Sequence, residues 1–181
     1  MVEEFVSFAR MPAPVFAPHD LADMLQKVVF SEKVAHPEIT YEIHHDGSVL
    51  EMKMDERQLG RMFGNLYKNA AEAIERAMEA SGDLQGKIST SLTVEEEGSR
   101  IHVKIEDNGP GFPENLMHRI MEPYVTTREK GTGLGLAIAK KIAEEHSGEL
   151  SLGNLEQGGA IINIVFRVDS DKNVTYGVAN W

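Results

Sequence analysis

Along this chain, stretches in which apolar residues recur at helical spacing trade places with stretches in which apolar and polar residues alternate. Leu21, Met24, Leu25, Val28 and Val29 fall on one face of a helix that Asp20 is placed to cap. A longer helix follows from Leu59, Met62, Phe63, Leu66, Ala70, Ala73, Ile74 and Ala77, with Asp55 and Gln58 ahead of it in capping-box spacing. Helical spacing returns over residues 134–146, and Gly148 ends it. Residues 39–44 and 49–54 alternate on either side of Asp46-Gly47, which predicts a β-hairpin. Residues 87–94 and 100–106 alternate around a polar turn, and 149–152 and 160–168 read as closing strands. Helices mixed with antiparallel hairpins predict an α+β fold: a two-layer α/β sandwich whose mixed, mostly antiparallel sheet packs on helices, and not a doubly wound parallel sheet. No internal repeat is present.

The ends of the chain read differently from this body. Residues 3–10 have apolar positions at helical spacing, and Pro12, Pro14 and Pro18 stop any helix. We read them as the tail of a helix begun upstream, with Met1 a cut within a longer protein. The expected organisation is residues 1–16 as helix tail and Pro-rich joint, 17–170 as one domain, and 171–181 as a tail.

Composition narrows the function. With 41% hydrophobic and 26% charged residues, the 181-residue chain has the balance of a folded domain. Its 18 Lys+Arg against 29 Asp+Glu leave a net charge of -11, which argues against nucleic acid as a partner. The absence of cysteine rules out disulfides and thiolate metal sites and fits a reducing compartment. No apolar run approaches the ~20 residues of a membrane span, so no membrane contact is expected of this piece.

Four short segments carry candidate chemistry. Asn65 and Asn69 lie one helical turn apart on the second helix, so both amides project from one face, where they suit a Mg²⁺ whose charge is balanced mainly by phosphates. Lys68 falls between them. Asp107 ends a strand and enters Asn108-Gly109-Pro110-Gly111, where glycines let the backbone approach a flat ligand and a fixed carboxylate can accept adenine amino hydrogens. Residues 122–133 form a polar stretch rich in Thr, Lys and Gly, the composition of a mobile loop. Gly131, Gly133 and Gly135 then lead into a helix, whose bare N-terminal amides suit a polyphosphate. The spacing is not the dinucleotide fingerprint, and no Walker A sequence is present.

Taken in order, the N-x-x-x-N-A segment, D-x-G-x-G, Glu122-Pro123-Tyr124, G-T-G-L-G-L and Gly158-Gly159 resemble the N, G1, F, G2 and G3 boxes of sensor histidine kinases, members of the GHKL superfamily. The resemblance spans about residues 17–168. The wording of residues 5–12 and 122–127 is similar to the NtrY-type nitrogen-regulation kinases. The resemblance implies a Bergerat-type ATP-binding fold with ATP and Mg²⁺ as ligands. It implies Asn69 as the Mg²⁺ ligand with Asn65 in support, Lys68 near the phosphates, and Ala73, Asp107, Gly109 and Gly111 around adenine. Tyr124 would stand at the base of a lid carrying Thr126, Thr127, Arg128 and Lys130. Gly131, Thr132, Gly133, Leu134, Gly135 and Leu136 would line the phosphates, and Gly159 would complete the pocket.

The family's partners follow in the same way. They are a dimerisation domain of the same protein that carries the phosphorylated histidine, and a response regulator. The fragment is expected to be monomeric and cytoplasmic, within a homodimeric parent anchored in the bacterial inner membrane. None of His19, His36, His44, His45, His102, His118 and His146 has the context of an acceptor, so each is read as a surface or strand residue and the acceptor is expected upstream of Met1. Asn65 stands where related ATPases commonly place a water-activating Glu, and an amide cannot act as a base near neutral pH, so slow intrinsic hydrolysis is expected. Two other readings compete: an anti-sigma-type serine kinase or GHKL ATPase, and an interaction module that senses nucleotide without transferring phosphate.

Overall fold

The computed structural model describes residues 11–46, 50–95, 100–126 and 131–168. Their elements run β1 (Ala17–Asp20), α1 (Leu21–Ala35), β2 (Thr40–His44), β3 (Glu51–Met54), α2 (Glu56–Ser81), β4 (Lys87–Val94), β5 (Arg100–Asp107), a 3₁₀ turn (Glu114–Leu116), α3 (Gly135–Glu145), β6 (Gly148–Asn154) and β7 (Ala160–Arg167). The helix tail expected at residues 3–10 and the tail at 171–181 lie outside the described residues.

Five strands form one sheet in the order β2-β4-β5-β7-β6, antiparallel except for the β2–β4 pair. Alternation places Ile88, Thr90 and Leu92 of β4, Ile101, Val103 and Ile105 of β5, and Ile162, Ile164 and Phe166 of β7 on its buried face. That face meets the apolar stripe of α2, built from Leu59, Met62, Phe63, Leu66, Tyr67, Ala70 and Ile74, with α1 and α3 packed beside it. The polar exception, Thr90, is satisfied by the hydroxyl of Tyr67 at 2.8 Å. The two-layer α+β sandwich is therefore the observed architecture. Among the described residues no helix is long and apolar enough to cross a membrane.

The strands flanking Asp46-Gly47 do not pair with each other. β2 runs parallel to β4, with Tyr41 opposite Ile88, while β3 pairs antiparallel with β1, a strand the Pro-rich sequence concealed. His19, read as a surface or strand residue, lies within β1. Alternation marks a strand but not its partner: the long β4 edge buries Tyr41, and β1 leads straight into α1.

Helix starts follow the sequence more closely. Asp20 Oδ1 accepts the N–H groups of Ala22 and Asp23, and Asp55 Oδ1 accepts that of Gln58. The reciprocal half of the capping box is absent. Gln58 Nε2 donates instead to Pro12 O, and Asp55 N–H donates to Nε2 of His146 at 3.0 Å. His146 is thus neither a surface nor a strand residue. It is 4% exposed at the C-terminal end of α3, donates Nδ1–H to Ile142 O at 2.8 Å, and meets the Phe16 ring edge-on. No local pattern marks this role, because its partner is 91 residues away.

Burial holds the His146 imidazole below its ordinary pKa, against the pull of the Ile142 carbonyl and the Asp55 and Glu145 carboxylates. A histidine depressed in the fold binds its proton more readily when unfolded, so its contribution to stability is present above about pH 6.5 and fades as pH falls. Between about pH 7 and pH 5.5 the melting temperature should fall more steeply for the native chain than for His146→Gln. Parallel slopes in thermal melts would contradict the assignment.

Candidate functional site

A cavity of about 1110 Å³ opens between α2, the end of β5 and the start of α3. It brings together three segments distant in sequence: Asn65, Lys68, Asn69 and Ala73 of α2, Asp107 at the end of β5 with Gly111 after it, and Thr126, Gly131, Thr132, Gly133, Gly135 and Leu136. Helix geometry explains the first group. With one stripe of α2 committed to the sheet, the residues offset from it face the cavity.

Asp107 follows from strand geometry. It continues the buried register of Ile101, Val103 and Ile105, so β5 ends by turning a carboxylate toward the helix layer. Its Oδ1 accepts the N–H of Gly109 at 2.9 Å and that of Ala160 at 3.2 Å, while Oδ2 has no partner among the described residues. Burial raises the Asp107 pKa above its ordinary value, and the two N–H bonds only partly oppose the rise. Asn108 is turned away, bonding Lys87 N–H and Gln85 O, and Asn154 grips both the N–H and the C=O of Phe112. The floor is close-packed: at Gly159, with φ +102°, an added Cβ would come within 1.9 Å of the Asp107 carbonyl oxygen.

The opposite end is the start of α3. Whereas α1 and α2 each carry an aspartate on their first turn, α3 has no side-chain cap, so its leading N–H groups are left for another acceptor. Asn69 stands beside it, its Nδ2 3.5 Å from where a Cβ on Gly135 would lie. Tyr124 N–H donates to Gly133 O at 3.0 Å, which closes the neck of the loop between them. Gly133, with φ +67°, has no room for a side chain, because a Cβ would lie 2.5 Å from the Tyr124 carbonyl carbon.

Not every expected residue lines the cavity. Gly109 contributes by bonding Asp107, Gly159 by its backbone, and Leu134 is buried beneath the helix start. Tyr124 is 59% exposed and stands at the loop's neck, outside the lining. Thr127, Arg128 and Lys130 lie outside the described residues. Lys68 does line the cavity, with a largely exposed side chain whose Nζ lies 3.9 Å from Glu72. Sequence reasoning missed Glu72 and Arg76, which share the cavity face of α2, and the apolar wall of Phe112, Leu116, Ile120 and Ile162. The spacing of Glu72 and Arg76 from Asn65 and Asn69 was a usable signal; the wall residues had none.

No cluster of three or more His, Cys, Asp or Glu able to hold a metal occurs among the described residues. The cavity is lined instead by two neutral amides, Asn65 and Asn69, a donor set that suits a divalent cation bringing its own anionic ligands better than one held by protein alone.

Residues 54–170 match the family model described as histidine kinase-, DNA gyrase B-, and HSP90-like ATPase. The chain is 40% identical over 173 residues to the nitrogen regulation protein NtrY of Azorhizobium caulinodans, covering 95% of this chain and 22% of that protein, so it spans about a fifth of that relative's length. Among solved structures, the catalytic domain of histidine kinase ThkA superposes with a TM-score of 0.70 at 29% identity, covering 85% of this chain and 98% of that one. ThkA in complex with the response regulator protein TrrA superposes with a TM-score of 0.71 at 26% identity, covering 95% of this chain and 47% of that one.

Proposed function

Since the chain belongs to the histidine kinase-, DNA gyrase B-, and HSP90-like ATPase family, we propose that it is the catalytic, ATP-binding domain of a two-component sensor histidine kinase, donating the γ-phosphoryl group of Mg-ATP to a histidine on a separate domain. One observation carries this reading: a single cavity joins the unpartnered oxygen of Asp107 to the uncapped N-terminus of α3. The first is an acceptor for the amino group of adenine. The second is a set of N–H donors, at the positive end of a helix dipole, for phosphates.

Asn69, with Asn65 one turn before it, would hold Mg²⁺, which when bound would neutralise phosphate charge. The residues themselves position the nucleotide. Asp107 fixes the base, the Phe112–Ile120 wall excludes water from it, and the amides of residues 135–137 orient the phosphates. Phosphoryl transfer asks chiefly for such alignment and for charge stabilisation. Asn65 can neither accept a proton from water nor donate one as an acid, so the arrangement favours delivery to a positioned acceptor over hydrolysis.

The test supplies the acceptor. The chain is incubated with Mg-ATP labelled at the γ position and a separately purified dimerisation domain bearing its histidine, such as that of the NtrY relative. Acid-labile label on that histidine is expected, with phosphate release at background when the domain is omitted. Acid-stable label on a serine would favour the serine-kinase reading, and binding without transfer would favour the interaction module. Passage of label from the histidine to a receiver-domain aspartate would extend the proposal to a response regulator.

A further inference from the structure

The cavity carries a cation, Arg76, that nothing among the described residues employs. Asn65, Asn69, Ala73 and Arg76 succeed one another along one face of α2, and all four line the cavity. Asn69 is level with the start of α3. Arg76, seven residues on, lies about 10 Å farther along the helix axis. It is therefore past Ile74, which packs where a Cβ on Gly109 would lie, beside the Asp107 turn. Arg76 belongs to the Asp107 end of the cavity and not to the phosphate end.

Carboxylates are within ordinary helical reach of Arg76. Glu72 precedes it by four residues and Glu79 follows by three, spacings at which Arg and Glu commonly pair. Glu72 lies instead beside Lys68, and Arg76 makes no ion pair or hydrogen bond among the described residues. In a chain of net charge -11, an unpartnered guanidinium at the rim of a cavity is a group available to a ligand.

We propose that Arg76 is a nucleoside-contact residue, its planar guanidinium stacking on the face of the base whose amino edge Asp107 accepts. This rests on the nucleotide reading of the cavity. A guanidinium is planar, weakly hydrated and permanently charged, and it stacks on aromatic faces more readily than an ammonium does. The stacking would favour purine over pyrimidine nucleotides, because the larger ring system offers more face.

Adenosine, ADP and Mg-ATP are titrated into the native chain, Arg76→Ala and Arg76→Lys. For Arg76→Ala, all three ligands should bind about three- to tenfold more weakly, by a common factor, with Arg76→Lys recovering only a small part. A loss confined to the phosphorylated ligands, full rescue by lysine, or unchanged affinity would overturn the proposal while leaving the nucleotide site standing. Failure of the native chain to bind any of the three would overturn the nucleotide reading and this inference together. Because Arg76 is exposed, the melting temperature of both variants should match the native chain.

Discussion

Replacing Asn69 by alanine is expected to abolish the dependence of ATP binding on magnesium, weakening Mg-ATP about a hundredfold or more, roughly 2.7 kcal/mol, while leaving the fold intact. The expectation comes from position. Asn69 lies on the α2 face that avoids the sheet, beside the uncapped end of α3, with Asn65 one turn before it. In the proposed site its oxygen is a protein ligand to the cation, and alanine leaves no donor in its place. Aspartate should fail as well, because it sets a second negative charge against the phosphates. The direct measurement is calorimetric titration of ATP with Mg²⁺ and with EDTA, alongside a thermal melt. An alanine variant that still binds ATP more tightly with Mg²⁺ would refute the metal assignment.

At the other end of the cavity, Asp107→Asn should weaken adenosine by about ten- to hundredfold, the value of a charge-assisted hydrogen bond in a buried site. It should also remove a pH dependence. Burial raises the Asp107 carboxyl above 3.8, opposed in part by the Gly109 and Ala160 N–H groups. Oδ1 is held by two N–H groups, so a proton would settle on Oδ2, the oxygen that accepts the adenine amino group, and only the ionised form keeps that acceptor. Affinity is therefore full well above the raised pKa and is lost as pH falls through it, beginning at a higher pH than an ordinary carboxylate would give. Adenosine is the appropriate probe because it has no phosphate to titrate in the same range. The native chain should lose affinity as pH falls, beginning at a higher pH than for an ordinary carboxylate, while the asparagine variant stays uniformly weak. Equal affinity for the two proteins at neutral pH would remove Asp107 from base recognition.

How much could be read in advance depends on the range of the interaction involved. The starts of α1 and α2 were legible because an aspartate cap acts on N–H groups two or three residues away. Asp107 was legible as a turn residue. Its place in the buried register of β5 also lay open to the same alternation that identified the strand. The hairpin expected at Asp46-Gly47 failed because a turn signal competes with every other strand edge available, and β4 and β1 won. The bond from His146 to Asp55 had no sequence signal at all, since it joins the end of one helix to the start of another.

The sequence by itself determined the periods of its helices and strands, the aspartate caps of α1 and α2 and the ordered motifs that identify the family, because each of these is written within a few neighbouring residues. Only the tertiary structure decided which strands pair, that Ala160 bonds Asp107, that His146 is buried, and that Arg76 stands at the same cavity as Asn69 with no partner among the described residues. Those outcomes depend on the packing of the whole core at once. A backbone N–H on β7 reaches a carboxylate on β5 only after the sheet between α2 and solvent has settled its register.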